Sequence, residues 1–135
     1  MGLLSKRASA VFRAPGKLRG MRCVVVDNNE AFADSISALL RLQGLDVVGA
    51  AHSGAEAVEL VERLRPDVAL IDVELGDADG LTLSHRLAAR VPATRIILIS
   101  SYGPDDLGDL VTANPAAGFL PKDELGAAAI ARVLG

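Results

Sequence analysis

Four polar residues stand just behind short apolar runs: Asp27 after 23–26, Asp72 after 68–71, Ser100 after 96–99, and Lys122 close behind 118–120. Taken singly, each has an ordinary explanation. An Asp or Ser after a strand is commonly a turn former or a helix cap, and a lone Lys is usually solvated. Taken together, two carboxylates, a hydroxyl and an ammonium suit phosphoryl chemistry. Carboxylate and carbonyl oxygens are the donors that Mg²⁺ prefers, and Mg²⁺ keeps several waters while using few protein ligands. A metal and a Lys can neutralise charge on a phosphoryl group in transfer.

The surrounding pattern explains how such residues can meet. The runs 23–26, 47–50, 68–71 and 96–99 are continuous rather than alternating, and most are rich in β-branched residues. Such runs fit strands buried on both faces, as in parallel sheets; 118–120 is a weaker fifth. Helical patterns lie between them. Phe32, Ile36, Leu39 and Leu40 share one helix face, and Gly44 is a stop. Ser53 and Glu56 have capping-box spacing ahead of Ala57, Val58, Val61 and Leu64, with Pro66 beyond. Leu83 and Leu87 continue the series before Pro92. A further pattern at Leu107, Leu110 and Val111 is weakened by Gly108 and bounded by Pro115. A last helix is expected to start at Asp123 or Glu124 and run through 127–134. Five strand–helix units in alternation predict an α/β fold, a doubly wound five-stranded parallel sheet with helices on both faces. Right-handed crossovers leave few topologies, and ligands in such sheets bind at the carboxyl ends of the strands.

Specific segments then carry a resemblance. Val25-Val26-Asp27, Leu70-Ile71-Asp72-Val73-Glu74-Leu75 with Asp79-Gly80 behind it, Leu98-Ile99-Ser100-Ser101 and Gly118-Phe119-Leu120-Pro121-Lys122 resemble the signature segments of response-regulator receiver domains. Separations of 45 residues from Asp27 to Asp72, 28 to Ser100 and 22 to Lys122 agree with that family. The likeness covers about residues 21–134, and the Gly-Phe-Leu-Pro-Lys-Asp segment is most similar to receivers of the NarL/LuxR type.

The resemblance implies a (βα)5 flavodoxin-like, CheY-like fold and a role in two-component signalling. Asp72 would accept a phosphoryl group from the phosphohistidine of a sensor histidine kinase. Mg²⁺ would be held by Asp27, Asn28, Asp72 and the backbone carbonyl of Glu74. Lys122 would contact the phosphoryl oxygens, Ser100 would be the hydroxyl that responds to them, and Phe119 the aromatic switch that follows. The output face would surround the fourth helix, fifth strand and fifth helix, and homodimers can form there. The chain would catalyse only its own phosphoryl transfer and hydrolysis, turning over no metabolite. NarL/LuxR-type receivers usually precede a DNA-binding output domain, so two alternatives stand: a single-domain regulator, or the receiver part of a larger one whose output domain is missing from this chain.

Asn28 departs from that pattern, because most of the family has a second acid there. Asn offers a carbonyl oxygen without charge, which should weaken Mg²⁺ binding. A competing reading follows: a pseudo-receiver that binds proteins without being phosphorylated. Asp123 stands where many receivers have Pro. Glu74 and Tyr102 lie two residues beyond Asp72 and Ser100, at positions that tune phosphate lifetime in the family. A flavodoxin-like cofactor binder is disfavoured, because Asp27-Asn28-Asn29-Glu30 replaces the hydroxyl- and glycine-rich phosphate loop, and no P-loop occurs.

Composition bounds the rest. The 135 residues are 50% hydrophobic and 23% charged, fit for one globular domain. Residues 1–22 hold six of the 14 basic groups and no acid, which leaves the remainder a net charge of −9. Residues 1–20 are therefore expected as a basic flexible tail and 21–135 as the receiver domain. An acidic body with 3% aromatics argues against direct nucleic-acid binding. The single Cys23 permits no internal disulfide and reads as a small core residue. No apolar run reaches a membrane span and no secretion signal is convincing, so no membrane contact and a cytoplasmic location are expected. His52 and His85 are expected as exposed histidines, not phosphorelay sites.

Overall fold

The computed structural model describes residues 16–102 and 114–135. Five parallel strands form one sheet: β1 (Arg22–Val26), β2 (Asp46–Ala51), β3 (Val68–Asp72), β4 (Arg95–Ser100) and β5 (Gly118–Pro121). Their order is β2-β1-β3-β4-β5. The described helices are α1 (Glu30–Leu42), α2 (Gly54–Leu64), α3 (Gly80–Arg90) and α4 (Ala127–Leu134).

Alternate strand residues feed two cores. Cys23, Val25, Val68, Leu70, Ile97 and Ile99 pack with Ile36 and Leu40 of α1 and Ile130 of α4. Val24, Val26, Ala69, Ile71 and Ile96 pack on the other face with Val58 and Val61 of α2 and Leu83 and Leu87 of α3. Burial on both faces is why the strands read as unbroken apolar runs. Cys23 is fully buried, and burial pushes its thiol up to about 12, so it is packing rather than a reactive group.

Helix boundaries follow local chemistry. Asn29 caps α1 by accepting the Phe32 N–H at 3.1 Å, and Gly44 takes a positive φ of 103° just beyond the helix end. Ser53 caps α2 through the Glu56 N–H at 3.2 Å. Asp79 caps α3 through the Leu81 N–H at 2.8 Å.

Two local expectations differ from what is observed. The last helix starts at Ala127, not at Asp123 or Glu124. Those two lie in a 3-10 turn (Lys122–Glu124), and extended Leu125 and Gly126 separate it from α4. Leu18, inside the stretch expected as tail, is 1% exposed and belongs to the α1–α4 core, with the Met21 N–H donating to its carbonyl at 3.0 Å. The helical pattern around Leu107, Leu110 and Val111 lies outside the described residues. No helix among the described residues is long and apolar enough to cross a membrane.

Candidate functional site

β1 lies between β2 and β3, so the carboxyl ends of β1 and β3 open where the strand order reverses. Asp27 follows β1 and is fully buried. Its Oδ1 accepts the Asn29 N–H at 2.9 Å, which turns the chain toward α1. Asp72 ends β3 at 5% exposure, and its Oδ1 accepts the Glu74 N–H at 3.1 Å. The remaining oxygen of each carboxylate faces Lys122, which follows β5: Nζ lies 2.6 Å from Asp27 Oδ2 and 3.1 Å from Asp72 Oδ2. The ammonium also sits 4.7 Å from the centre of the Phe32 ring, a cation–π contact from α1.

The charges here are unequal, with two carboxylates to one ammonium. Burial pushes the Asp72 carboxyl above its usual range, and the neighbouring Asp27 charge pushes the same way; the Glu74 N–H and Lys122 only partly offset them. Burial works to lower Lys122, yet its contacts with Asp27 and Asp72 outweigh this and raise it, so the ammonium stays charged.

Above these groups is a cleft of about 310 Å³, lined by Asn28, Asp72, Glu74, Ser100, Tyr102 and Lys122 among others. The residues expected to act together therefore share one cleft, with Asp27 buried beneath it. Asn28 and Glu74 lie exposed at the rim. Ser100 is 1% exposed, and its Oγ accepts the Tyr102 N–H at 3.0 Å. Phe119 is half-buried on β5, paired in register with Leu98.

A hard divalent cation fits this donor set. Asp27 Oδ2 is buried, and its partner is the Lys122 ammonium at 2.6 Å, which Asp72 Oδ2 also faces at 3.1 Å. Two carboxylates that share one ammonium leave a negative charge for a cation to offset. Asn28 supplies a neutral oxygen at the rim. Among the described residues no three Asp, Glu, His or Cys side chains converge, so the protein would supply few charged ligands and water the rest.

Three contacts had no sequence signal. Phe32 is assigned to the packing face of α1 by its spacing, and nothing in that spacing announces its place over Lys122. His52 was expected to be exposed; it is half-buried, with Nδ1 3.0 Å from the carbonyl oxygen of Asp27. Asp77, in the loop after β3, accepts the Gly54 N–H at 3.0 and 3.2 Å with its two carboxylate oxygens. His85 is exposed as expected.

With this geometry in hand, similarity to known proteins is informative. Residues 23–133 match the family described as response regulator receiver domain. The chain is 38% identical over 105 residues to the DNA-binding transcriptional activator DevR/DosR of Mycobacterium tuberculosis, covering 76% of this chain and 48% of that protein. It thus spans about half the length of that relative. The signal receiver domain of the response regulator NarL from Mycobacterium tuberculosis superposes with a TM-score of 0.77 at 31% identity, covering 87% of this chain and 98% of that one. A response regulator from Burkholderia pseudomallei, solved with a phosphorylated aspartic acid, a calcium ion and citrate, superposes with a TM-score of 0.75 at 26% identity, covering 85% of this chain and 66% of that one. The chain belongs to the response regulator receiver domain family, with its likeness running to NarL/LuxR-type members.

Proposed function

We propose that this receiver domain accepts a phosphoryl group on Asp72 from the phosphohistidine of a sensor histidine kinase, in a step that needs Mg²⁺. One observation carries the reading: a single ammonium, Lys122 Nζ, lies within 3.1 Å of both Asp27 and Asp72 at the floor of the cleft that Ser100 lines. An oxygen of Asp72 would attack phosphorus, the P–N bond to the donor imidazole, protonated on its other ring nitrogen, would break, and neutral imidazole would leave with that electron pair. Asp27, Asn28, Asp72 and the Glu74 carbonyl would hold Mg²⁺, which supplies charge neutralisation on the phosphoryl oxygens. Lys122 would add to that neutralisation and orient the oxygens. The Burkholderia pseudomallei relative carries a phosphorylated aspartic acid and a calcium ion, which supports carrying this chemistry over.

The product replaces one negative charge by about two and adds strong acceptor oxygens. Ser100 Oγ, now engaged by the Tyr102 N–H, would turn to them, and Phe119 would follow. The output surface would then include β5 and α4, and self-association there is part of the same proposal. DevR/DosR is a DNA-binding transcriptional activator, so we place this chain in transcription regulation, as a receiver working with a separate or following output domain in the cytoplasm. Residues 21–135 would be the functional domain and the preceding basic segment an accessory.

Asn28 favours a second reading, a pseudo-receiver that binds a protein partner without phosphorylation. Incubation with Mg²⁺ and acetyl phosphate, followed by intact mass spectrometry alongside Asp72→Ala, separates the two. A single phosphoryl adduct requiring both Mg²⁺ and Asp72 is the expected result. A folded protein that takes no adduct at any Mg²⁺ concentration would replace it with the pseudo-receiver.

A further inference from the structure

We propose that the corner between β2 and α2, His52 with Gly54, is the positioning element of the cation pocket: His52 holds the 27–29 loop and Asp77, bound to the Gly54 N–H, holds the 74–79 loop. The proposal rests on the reading of that pocket as a divalent-cation site, and its test separates the two.

A carbonyl oxygen only accepts hydrogen bonds, so the 3.0 Å contact from His52 Nδ1 to the Asp27 carbonyl is made by a protonated Nδ1. It grips the backbone at the residue whose Oδ1 takes the Asn29 N–H, and so fixes the turn on which Asn28 sits.

The other loop is gripped at Asp77. Both oxygens of this exposed carboxylate reach the first N–H of α2, where the helix dipole favours negative charge. The approach is close: a Cβ on Gly54 would stand 2.7 Å from the Cβ of Ala78, so only glycine lets the loop settle there. Within the loop, the Asp77 N–H donates to the Leu75 carbonyl at 2.9 Å and the Leu75 N–H to the Ala78 carbonyl at 3.2 Å. Glu74 in turn bridges to Asp79 on the far side of the loop, so holding Asp77 restrains Gly76 and Glu74.

The two loops meet across the rim. Gly76 has φ +80°, and a Cβ there would come within 3.3 Å of Asn28 Nδ2. One corner thus anchors both loops that would carry cation ligands, and the loops touch where Asn28 replaces a charge. With one attraction weaker, cation affinity depends more on oxygens already held in place.

The test is Mg²⁺ titration by calorimetry on the full chain and on His52→Ala, His52→Asn, Asp77→Ala and Asp77→Asn. Amide hydrogen exchange at Asn29 and Glu74 is followed without metal. Asn at 52 keeps a donor where Nδ1 stood, and Asn at 77 keeps an acceptor without the charge. The alanine variants should each bind Mg²⁺ about tenfold more weakly, and the asparagine variants should recover most of that loss. Exchange should quicken at Asn29 in His52→Ala and at Glu74 in Asp77→Ala, with Val25 and Leu70 unmoved. Alanine variants that match the wild type, or asparagine variants as weak as alanine, overturn the proposal; the second outcome at Asp77 would assign the effect to charge. If the wild-type chain binds no Mg²⁺, the cation reading fails and exchange decides: quickening confined to Asn29 and Glu74 sustains the corner's role, and its absence ends it.

Discussion

Lys122 Nζ lies 2.6 Å from Asp27 Oδ2, an ion pair in which the carboxylate is fully buried and the Lys side chain is 16% exposed. Asp72 adds a second carboxylate 3.1 Å from the same ammonium, so without a bound cation the cluster carries an excess negative charge in a poorly solvated place. Several consequences can be measured.

The first concerns Asp72 itself. Its carboxyl is raised from the ordinary 3.8, chiefly by burial, so ionisation costs the native state more than the unfolded one. The stabilisation that protonation gives is complete below 3.8 and is lost as pH rises through the raised folded value. At neutral pH, Asp72 is therefore a strain that Asp72→Asn relieves. In metal-free buffer at pH 7 the variant should be more stable by about 1 kcal/mol, a Tm rise of about 4 °C. Thermal unfolding at pH 7 and pH 3.5 checks it. A variant less stable than wild type at pH 7, or a gain that does not shrink toward pH 3.5, refutes it.

Lys122 behaves in the opposite sense. Its value is raised above 10.5 by the two carboxylates, so the stability it contributes is fully present below 10.5 and is lost only above that. Lys122→Met removes the one cation and leaves both carboxylates. The loss at pH 7 should be about 3 kcal/mol, the scale of breaking a buried pair from one side. It should diminish toward pH 4.5, as Asp72 takes up a proton more readily than usual. Urea midpoints at the two pH values test this, and an equal loss at both counts against it.

Much of this centre was legible in the sequence because strand ends are. Asp27, Asp72, Ser100 and Lys122 each follow an apolar run, and a parallel sheet brings such ends to one edge. Asp77 and His52 were not legible, since their partners are backbone groups: the Gly54 N–H and the Asp27 carbonyl belong to every residue type and leave no pattern. Leu18 was hidden by its basic neighbours, although one apolar residue suffices to close the α1–α4 core. The start of α4 was misjudged because acidic residues at 123 and 124 imitate a first helical turn, while extended Leu125 and uncapped Gly126 postpone it.

Asn28 offers a gain of function. Its amide nitrogen lies against Gly76, and Asp is nearly the same shape, so Asn28→Asp should fit without rearrangement. A charge on this exposed rim is worth about 2 kcal/mol toward a divalent cation, twice the contact value between unit charges in water. Mg²⁺ affinity should rise roughly thirtyfold, and the Mg²⁺ needed for half-maximal phosphorylation by acetyl phosphate should fall by a similar factor. Unchanged Mg²⁺ affinity would mean that Asn28 lies outside the cation's reach.

Gly80 tests how tightly the acceptor strand is locked to α3. Its N–H donates to the Val73 carbonyl at 2.9 Å, which draws the first turn of α3 against the end of β3. A Cβ at Gly80 would stand 2.1 Å from the Asp72 carbonyl oxygen and 2.8 Å from the Val73 Cα. These are backbone atoms that cannot rotate away, so α3 would have to back off from the strand carrying Asp72. Gly80 has no positive φ, which removes backbone strain from the account and leaves contact alone. Gly80→Ala should cost about 3 kcal/mol, at the upper end of overpacking, despite alanine's better helix propensity. Gly76→Ala separates the two causes: its Cβ would meet only a side-chain nitrogen at 3.3 Å, but φ is +80° there, so its cost should be nearer 1 kcal/mol and arise from strain. Chemical denaturation of both variants ranks them. If Gly80→Ala is the milder, the Asp72 backbone yields more readily than its hydrogen bonding implies.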